Sequence, residues 1–144
     1  MKLPAKLFLP LAAVTLLTTC SLLAPEYAGT WVDEQTLFGW TITLEFTRRD
    51  FRIAVETYDA ARDMTAGTVT SGVMSAGAGA LLATITGQEI DGEELGDPEL
   101  HAYLAYIGGG EYTAQYKISG NTMTLSGDLV EKIFQVPSVA AARQ

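Results

Sequence analysis

The chain of 144 residues has one cysteine and one histidine, and these two scarcities remove much of protein chemistry at once. A lone Cys20 cannot close an intramolecular disulfide, so a domain built from this sequence must be held by its core rather than by covalent staples. A lone His101 is the only base from which a Ser-His-Asp arrangement could be made. Cations are scarce as well: 9 Lys and Arg stand against 17 Asp and Glu. Nucleic-acid binding needs clustered Lys and Arg to replace phosphate counterions, and the densest basic run is Arg48-Arg49, followed at once by Asp50. Nucleic acid is set aside as a partner. Nucleotide loops are lacking too, because Gly77-Ala78-Gly79 has neither the third glycine of a dinucleotide fingerprint nor the Gly-Lys-Ser/Thr of a P-loop.

What is present begins with an export signal. Lys2 and Lys6 form a short basic start, Leu7 to Leu17 is an uncharged apolar run, and Thr18 and Thr19 lead to Cys20. Three outcomes are open: lipid modification at Cys20, an uncleaved anchor over Leu7 to Ala24, or ordinary cleavage near Ser21. All three put the following domain outside the cytoplasm. With residues 1–19 removed, the loss of Lys2 and Lys6 leaves a net charge of about −10 by formal counting.

Residues 26–137 carry the pattern of one small antiparallel β-domain, behind a tether at 20–25 and ahead of a small-residue tail at 138–144. Trp40, Ile42, Leu44 and Phe46 alternate with Thr41, Thr43, Glu45 and Thr47, and Phe51, Ile53 and Val55 resume the alternation after a polar break. These two segments are expected to form a hairpin. Tyr58 to Asp63 reads as a loop. A third strand is expected over Ala66 to Ser75, with Val69 and Val73 set against Thr68, Thr70 and Met74, and another over Leu81 to Thr86. Gln88 to Glu99 is rich in acids, glycine and proline, and reads as a loop. Leu100 to Ile107 is apolar on both faces and fits either a covered strand or a short helix. Tyr112 to Ile118, the turn Ser119-Gly120-Asn121 and Thr122 to Ser126 form the clearest hairpin. Leu129 to Val136 is expected to add a last strand. The fold class is therefore all-β, an up-and-down meander of about eight or nine strands. It is expected to close into a barrel, since closure removes exposed edges, with a two-sheet sandwich as the alternative and a signal helix in front.

Two resemblances accompany this reading. Leu17-Thr18-Thr19-Cys20 resembles the lipobox of bacterial lipoproteins, which implies a lipidated, N-terminal Cys20 held in the membrane; Ser21 after it resembles the sorting pattern for the outer membrane. Gly29 to Trp31 (G-x-W) and the hairpin from Tyr116 to Leu125 resemble bacterial lipocalin-like domains, over roughly Glu26 to Val136. That resemblance implies an eight-stranded barrel whose mouth holds an apolar molecule.

Catalytic groups are few. Ser75 is one residue out of register with G-x-S-x-G, and no helical pattern follows it. His101 sits beside the acidic stretch, where a surface or rim position is the ordinary role. Asp91, Glu93, Glu94, Asp97 and Glu99 are oxygen ligands of the kind calcium takes, but their spacing departs from an EF-hand and suits a solvated loop. No enzyme activity, metal or cofactor is expected. An eight-stranded interior is either filled or holds one small ligand, and the candidate lining residues are Trp40, Phe46, Phe51, Tyr106 and Tyr116. The expected function is binding of a small apolar or amphipathic ligand by a lipid-anchored barrel. The alternative is a filled barrel that meets a protein partner through its acidic loop.

Overall fold

Alternation of apolar and polar side chains gives each strand one face to bury, and a curled sheet buries all of those faces together. The computed structural model describes residues 24–37, 40–77 and 79–144; the signal segment, its expected helix and Cys20 lie outside the described residues. The elements are β1 (Gly29–Leu37), β2 (Trp40–Phe46), β3 (Asp50–Asp59), β4 (Met64–Gly77), β5 (Ala80–Ile90), β6 (Glu93–Glu94), α1 (Asp97–Tyr106), β7 (Glu111–Ser119), β8 (Thr122–Ser126), α2 (Asp128–Phe134) and β9 (Ser138–Arg143). Every strand pairing is antiparallel. The sheet runs β4-β3-β2-β1-β9-β8-β7-β5, and β4 pairs again with β5, so eight strands close into an up-and-down barrel. The two residues of β6 add a short ninth strand beside β5.

The core follows the expected faces in β2, β3 and β5. Ile42, Leu44, Phe46, Phe51, Ile53, Leu81, Ala83 and Ile85 are buried together with Trp31, Ala114, Met123 and Leu125. Each fully buried aliphatic side chain of this set contributes about 1.5–3 kcal/mol relative to leaving it in water. In β4 the expected face is reversed: Thr70 and Met74 point inward, while Val73 is 47% exposed. Pairing decided this, because Met74 lies opposite Ala83 and Thr70 opposite Ile53, both on inward faces.

Four stretches differ from their expected structure. Leu129 to Val136 is not a strand. Leu129, Val130 and Phe134 are buried on one side of helix α2, a spacing that suits a 3.6-residue repeat, and Gln135 ends the helix in a left-handed conformation with φ 58°. The last strand is instead β9, inside what reads as a tail; it pairs with β8 and β1, and burial of Val139 and Ala141 completes the barrel wall. Tyr58 to Asp63 is only partly a loop, since β3 continues to Asp59. Gln88 to Glu99 is likewise more ordered. β5 continues to Ile90, Asp91 and Gly92 make a two-residue turn with φ 52° and 86°, and α1 starts at Asp97. Asp-Gly is the standard pair for such a turn, since both residues tolerate positive φ.

The connections divide unequally between the two ends. One end has the tight turns after β2, β4 and β7, and is sealed by residues 24–28 and the C-terminal residues. There Trp31 is fully buried; its indole nitrogen donates to the Tyr27 carbonyl at 2.9 Å, and the Arg143 guanidinium lies 4.2 Å from the ring centroid. Arg143 also donates to the carbonyls of Ala28 (3.0 Å) and Glu26 (2.6 Å). Tyr27 packs edge-on against Phe46 and Tyr116. The other end has the long β5 to β7 connection with α1, and α2 between β8 and β9. This end is the mouth.

Candidate binding site at the barrel mouth

Cross-strand register sorts the inward side chains into rows around one wall of the barrel. Nearest the sealed end run Phe46, Phe51, Gly72 and Ile85; next come Trp31, Leu44, Ile53, Thr70 and Gln88; nearest the mouth run Asp33, Ile42, Val55, Thr68 and Ile90. Exposure rises along this series. The first two rows are buried throughout, whereas in the third Val55 and Thr68 are half-buried and Ile90 is 45% exposed. Large side chains fill the sealed half, and no Cβ fits at Gly72, where it would collide with the Thr84 carbonyl and lie 2.9 Å from the Phe51 ring. On the β2 to β5 side the mouth row is less completely buried, at Val55, Thr68 and Ile90. On the opposite side Leu129, Val130 and Phe134 of α2 cover the core, and Leu104 of α1 and Ile107 just after it pack against it.

Polar groups interrupt this wall. Thr70 and Gln88, both nearly fully buried, face each other across β4 and β5, and the Thr70 hydroxyl donates to Gln88 Oε1 at 2.7 Å. Asp33, 7% exposed, belongs to the mouth row. Tyr112 stands at the start of β7 with its hydroxyl 2.7 Å from the Gly109 carbonyl and 3.0 Å from that of Ile107, which ties the end of the α1 connection to the wall. Burial raises the Tyr112 pKa above the ordinary phenol value, since a phenolate is poorly solvated there.

The sequence-predicted lining residues are dispersed. Trp40 is half-buried at the start of β2, beyond Ile42 on the inward face, and stands at the mouth. Phe46 and Phe51 are buried opposite one another in the sealed half. Tyr116 is half-buried at the sealed end, its ring centroid 5.4 Å from that of Tyr27. Tyr106 is 89% exposed at the end of α1, because a helix turns away the position that strand alternation would bury. Asp33, Thr70 and Gln88 were not foreseen as lining. The available signal was the Thr68-x-Thr70 alternation, but Val69 and Val73 claimed the apolar face; Gln88 lay in a stretch whose acids and glycines suggest a loop.

At the rim of the mouth a groove of about 540 Å³ lies between Met64 at the start of β4, the β5–β6 turn and the beginning of α1, lined also by Ile90, Leu95, Asp91, Glu93, Glu94 and Glu99. Asp91 braces it: its amide donates to the Gly67 carbonyl at 2.7 Å and its carboxylate accepts from the Gly67 amide at 2.8 Å. Among the described residues, no three His, Cys, Asp or Glu side chains converge to hold a metal ion. His101 is exposed on α1 at the mouth end, and Ser75 is exposed on the outer face of β4 toward the sealed end, so the two groups are not brought together. No protein-family model, curated protein or solved structure matches the chain.

Proposed function

We propose that this is an exported, lipid-anchored and non-catalytic protein that takes a small apolar or amphipathic molecule into the mouth of its lipocalin-like barrel. The observation that carries the reading is the gradient along the wall: rows that are buried at the sealed end give way to half-exposed Val55, Thr68 and Trp40 and an exposed Ile90 at the mouth. Apolar surface left in contact with water inside a concavity is what an apolar ligand would cover. Titration of the full chain with an environment-sensitive apolar dye, together with native mass spectrometry of the extracted protein, tests it. Saturable emission or a retained lipid is expected; an empty protein that binds no dye would sink the reading.

The anchor rests on the lipobox-like Leu17 to Cys20. One diacyl group plus an amide-linked chain at Cys20 holds a protein stably in the bacterial outer membrane, whereas single chains bind only marginally. Intact mass of the membrane-extracted protein and of Cys20→Ala tests it: residues 20–144 plus three acyl chains are expected, with the modification lost in the variant. An unmodified chain starting after Ser21, or the whole of 1–144, would refute it.

A second reading is favoured by the acidic groove beside α1. Its apolar floor of Met64, Ile90 and Leu95 under several carboxylates suits a basic, apolar-tipped segment of an envelope protein. Joint replacement Asp91→Asn, Glu93→Gln and Glu94→Gln should weaken capture of such a partner in a pull-down, and undiminished capture would dismiss the groove.

A further inference from the structure

Charge is sorted along the barrel axis. Among the described residues Arg48, Arg49, Arg52, Lys117 and Arg143 lie in the sealed half, and only Arg62 and Lys132 lie toward the mouth. The turn after β2 carries Arg48 and Arg49, and the turn after β7, Gly120-Asn121, is uncharged. The acids nearest these cations are Glu26, Glu45 and Asp50. Glu45 is paired with Arg52 at 3.3 Å, and the Asp50 carboxylate accepts from the Thr47 hydroxyl at 3.2 Å. Arg48 and Arg143 have partners within the protein as well; Arg49 and Lys117 are exposed. At the other end Asp91, Glu93, Glu94, Asp97 and Glu99 crowd the connection from β5 to β7. β4 runs from one end to the other in 14 residues, roughly 30 Å along the axis at about 3.3 Å per residue and a tilt near 45°. The Debye length is about 8 Å at physiological salt, so a surface facing the sealed end feels its cations and hardly the acids of the mouth.

The chain enters the barrel at this same end. Residues 24–28 seal it, tied down by Arg143 and by the Tyr27 hydroxyl, which donates to the Arg48 carbonyl at 3.1 Å. From Cys20 to Ala24 the chain reaches at most about 15 Å when fully extended. An acyl anchor at Cys20 therefore keeps the sealed end at the bilayer, because that reach is too short to turn the far end of the barrel toward it. We propose that the sealed end docks on an anionic phospholipid surface, so that the barrel stands on the bilayer with its acidic mouth facing water. The inference rests on the anchor at Cys20 and adds the face of the protein and the lipid chemistry that meet. Arg49 and Lys117 approach lipid phosphates, and each cation held near such a surface adds to the attraction. The carboxylates of the mouth stand where the negative surface repels them least, and the mouth and the groove beside α1 stay accessible from water.

Hydrogen exchange read by mass spectrometry tests this on the membrane-extracted, acylated protein, reconstituted in vesicles of phosphatidylcholine or of a phosphatidylcholine–phosphatidylglycerol mixture. Residues 47–50 and 119–122 at the sealed end should exchange roughly 5–30-fold more slowly on the anionic vesicles, the range for one to two cations at the surface. Residues 60–63 and 91–95 at the mouth should exchange alike on both. High salt, or Arg49→Gln together with Lys117→Gln, should abolish the difference. Both side chains are exposed, so the double variant should keep its fold; if it does not, the salt series on the wild type decides alone. A difference that persists at high salt would overturn the electrostatic basis. Equal exchange at the sealed end on both vesicles, with the protein still sedimenting with them, would overturn the docking and leave the anchor intact. Slower exchange at the mouth instead would overturn the orientation. Protein that sediments with neither vesicle would overturn the anchor and this inference together.

Discussion

Arg143 should be worth far more to this barrel than an exposed arginine one residue from the end of the sequence ordinarily is. Three interactions converge on it: the guanidinium over the Trp31 ring at 4.2 Å, and donations to the carbonyls of Ala28 and Glu26. A cation over an indole is worth about 0.5–1 kcal/mol at an exposed site and up to about 2 when desolvated. A hydrogen bond from a charged donor adds about 1.5–3 kcal/mol when sheltered and less in water. Arg143 is exposed, so the lower values apply, and the shared side chain prevents simple addition; a loss of about 1.5–3 kcal/mol is expected for Arg143→Ala. For a domain of this size each kcal/mol shifts the melting midpoint by about 3–5 °C. Urea denaturation followed by tryptophan fluorescence measures the loss directly, and emission should shift to the red as Trp31 loses its cover. Arg143→Lys should fall between, because an ammonium keeps the charge near the ring but lacks the planar fork that reaches two carbonyls. A free energy for Arg143→Ala within about 0.5 kcal/mol of wild type, the range of ordinary surface changes, would refute the idea that this residue latches the sealed end.

Gly72→Ala should destabilise by about 2–4 kcal/mol in the same assay, because its methyl group meets the Thr84 carbonyl and the Phe51 ring rather than open space; a loss under about 0.5 kcal/mol would show that the wall yields there. Leu129→Ala should cost about 2–4 kcal/mol by opening a cavity under α2, and it should admit apolar dye more readily if α2 covers that side of the mouth. The pKa of Tyr27 is raised, first by burial and then by Tyr116, against a smaller lowering by Arg48. The unfolded chain therefore loses that proton first. The stability involved is intact below about pH 10, the ordinary tyrosine value, and is lost as pH rises through the raised folded value. Tyr27→Phe should thus show a shallower fall in melting temperature between neutral and strongly alkaline pH than wild type does, and identical slopes would dismiss Tyr27 as a contributor.

The parts of this fold that were legible in advance are those where a single local signal was unopposed. Strict alternation from Trp40 to Phe46 and from Tyr112 to Leu125 announced strands and their buried faces, and one-sided burial in successive hairpins implied a closed sheet. Where two signals competed, the local reading failed. Val69 and Val73 are better strand formers than Thr70 and Met74, yet Ile53 and Ala83, the inward-facing partners of Thr70 and Met74, dictated which face turned inward. The last barrel strand, Ser138–Arg143, is short and made mostly of small residues, so nothing in its own composition marks it; the two edges waiting at β1 and β8 make it a strand.

The same division holds for the candidate site. The sequence by itself determined that the chain has a single cysteine and a single histidine, that its net charge is acidic, and that its aromatic and aliphatic residues are spaced to line a barrel, because composition and period are properties of the chain alone. Only the tertiary structure decided which of those residues fill the sealed half and which reach the mouth. It alone brought Thr70 and Gln88, eighteen residues apart in the chain, into hydrogen bond, and it alone turned Tyr106 out into solvent. The reason is physical: a row around a barrel is composed of residues from different strands, and its members are set by register, which no stretch of the chain encodes on its own.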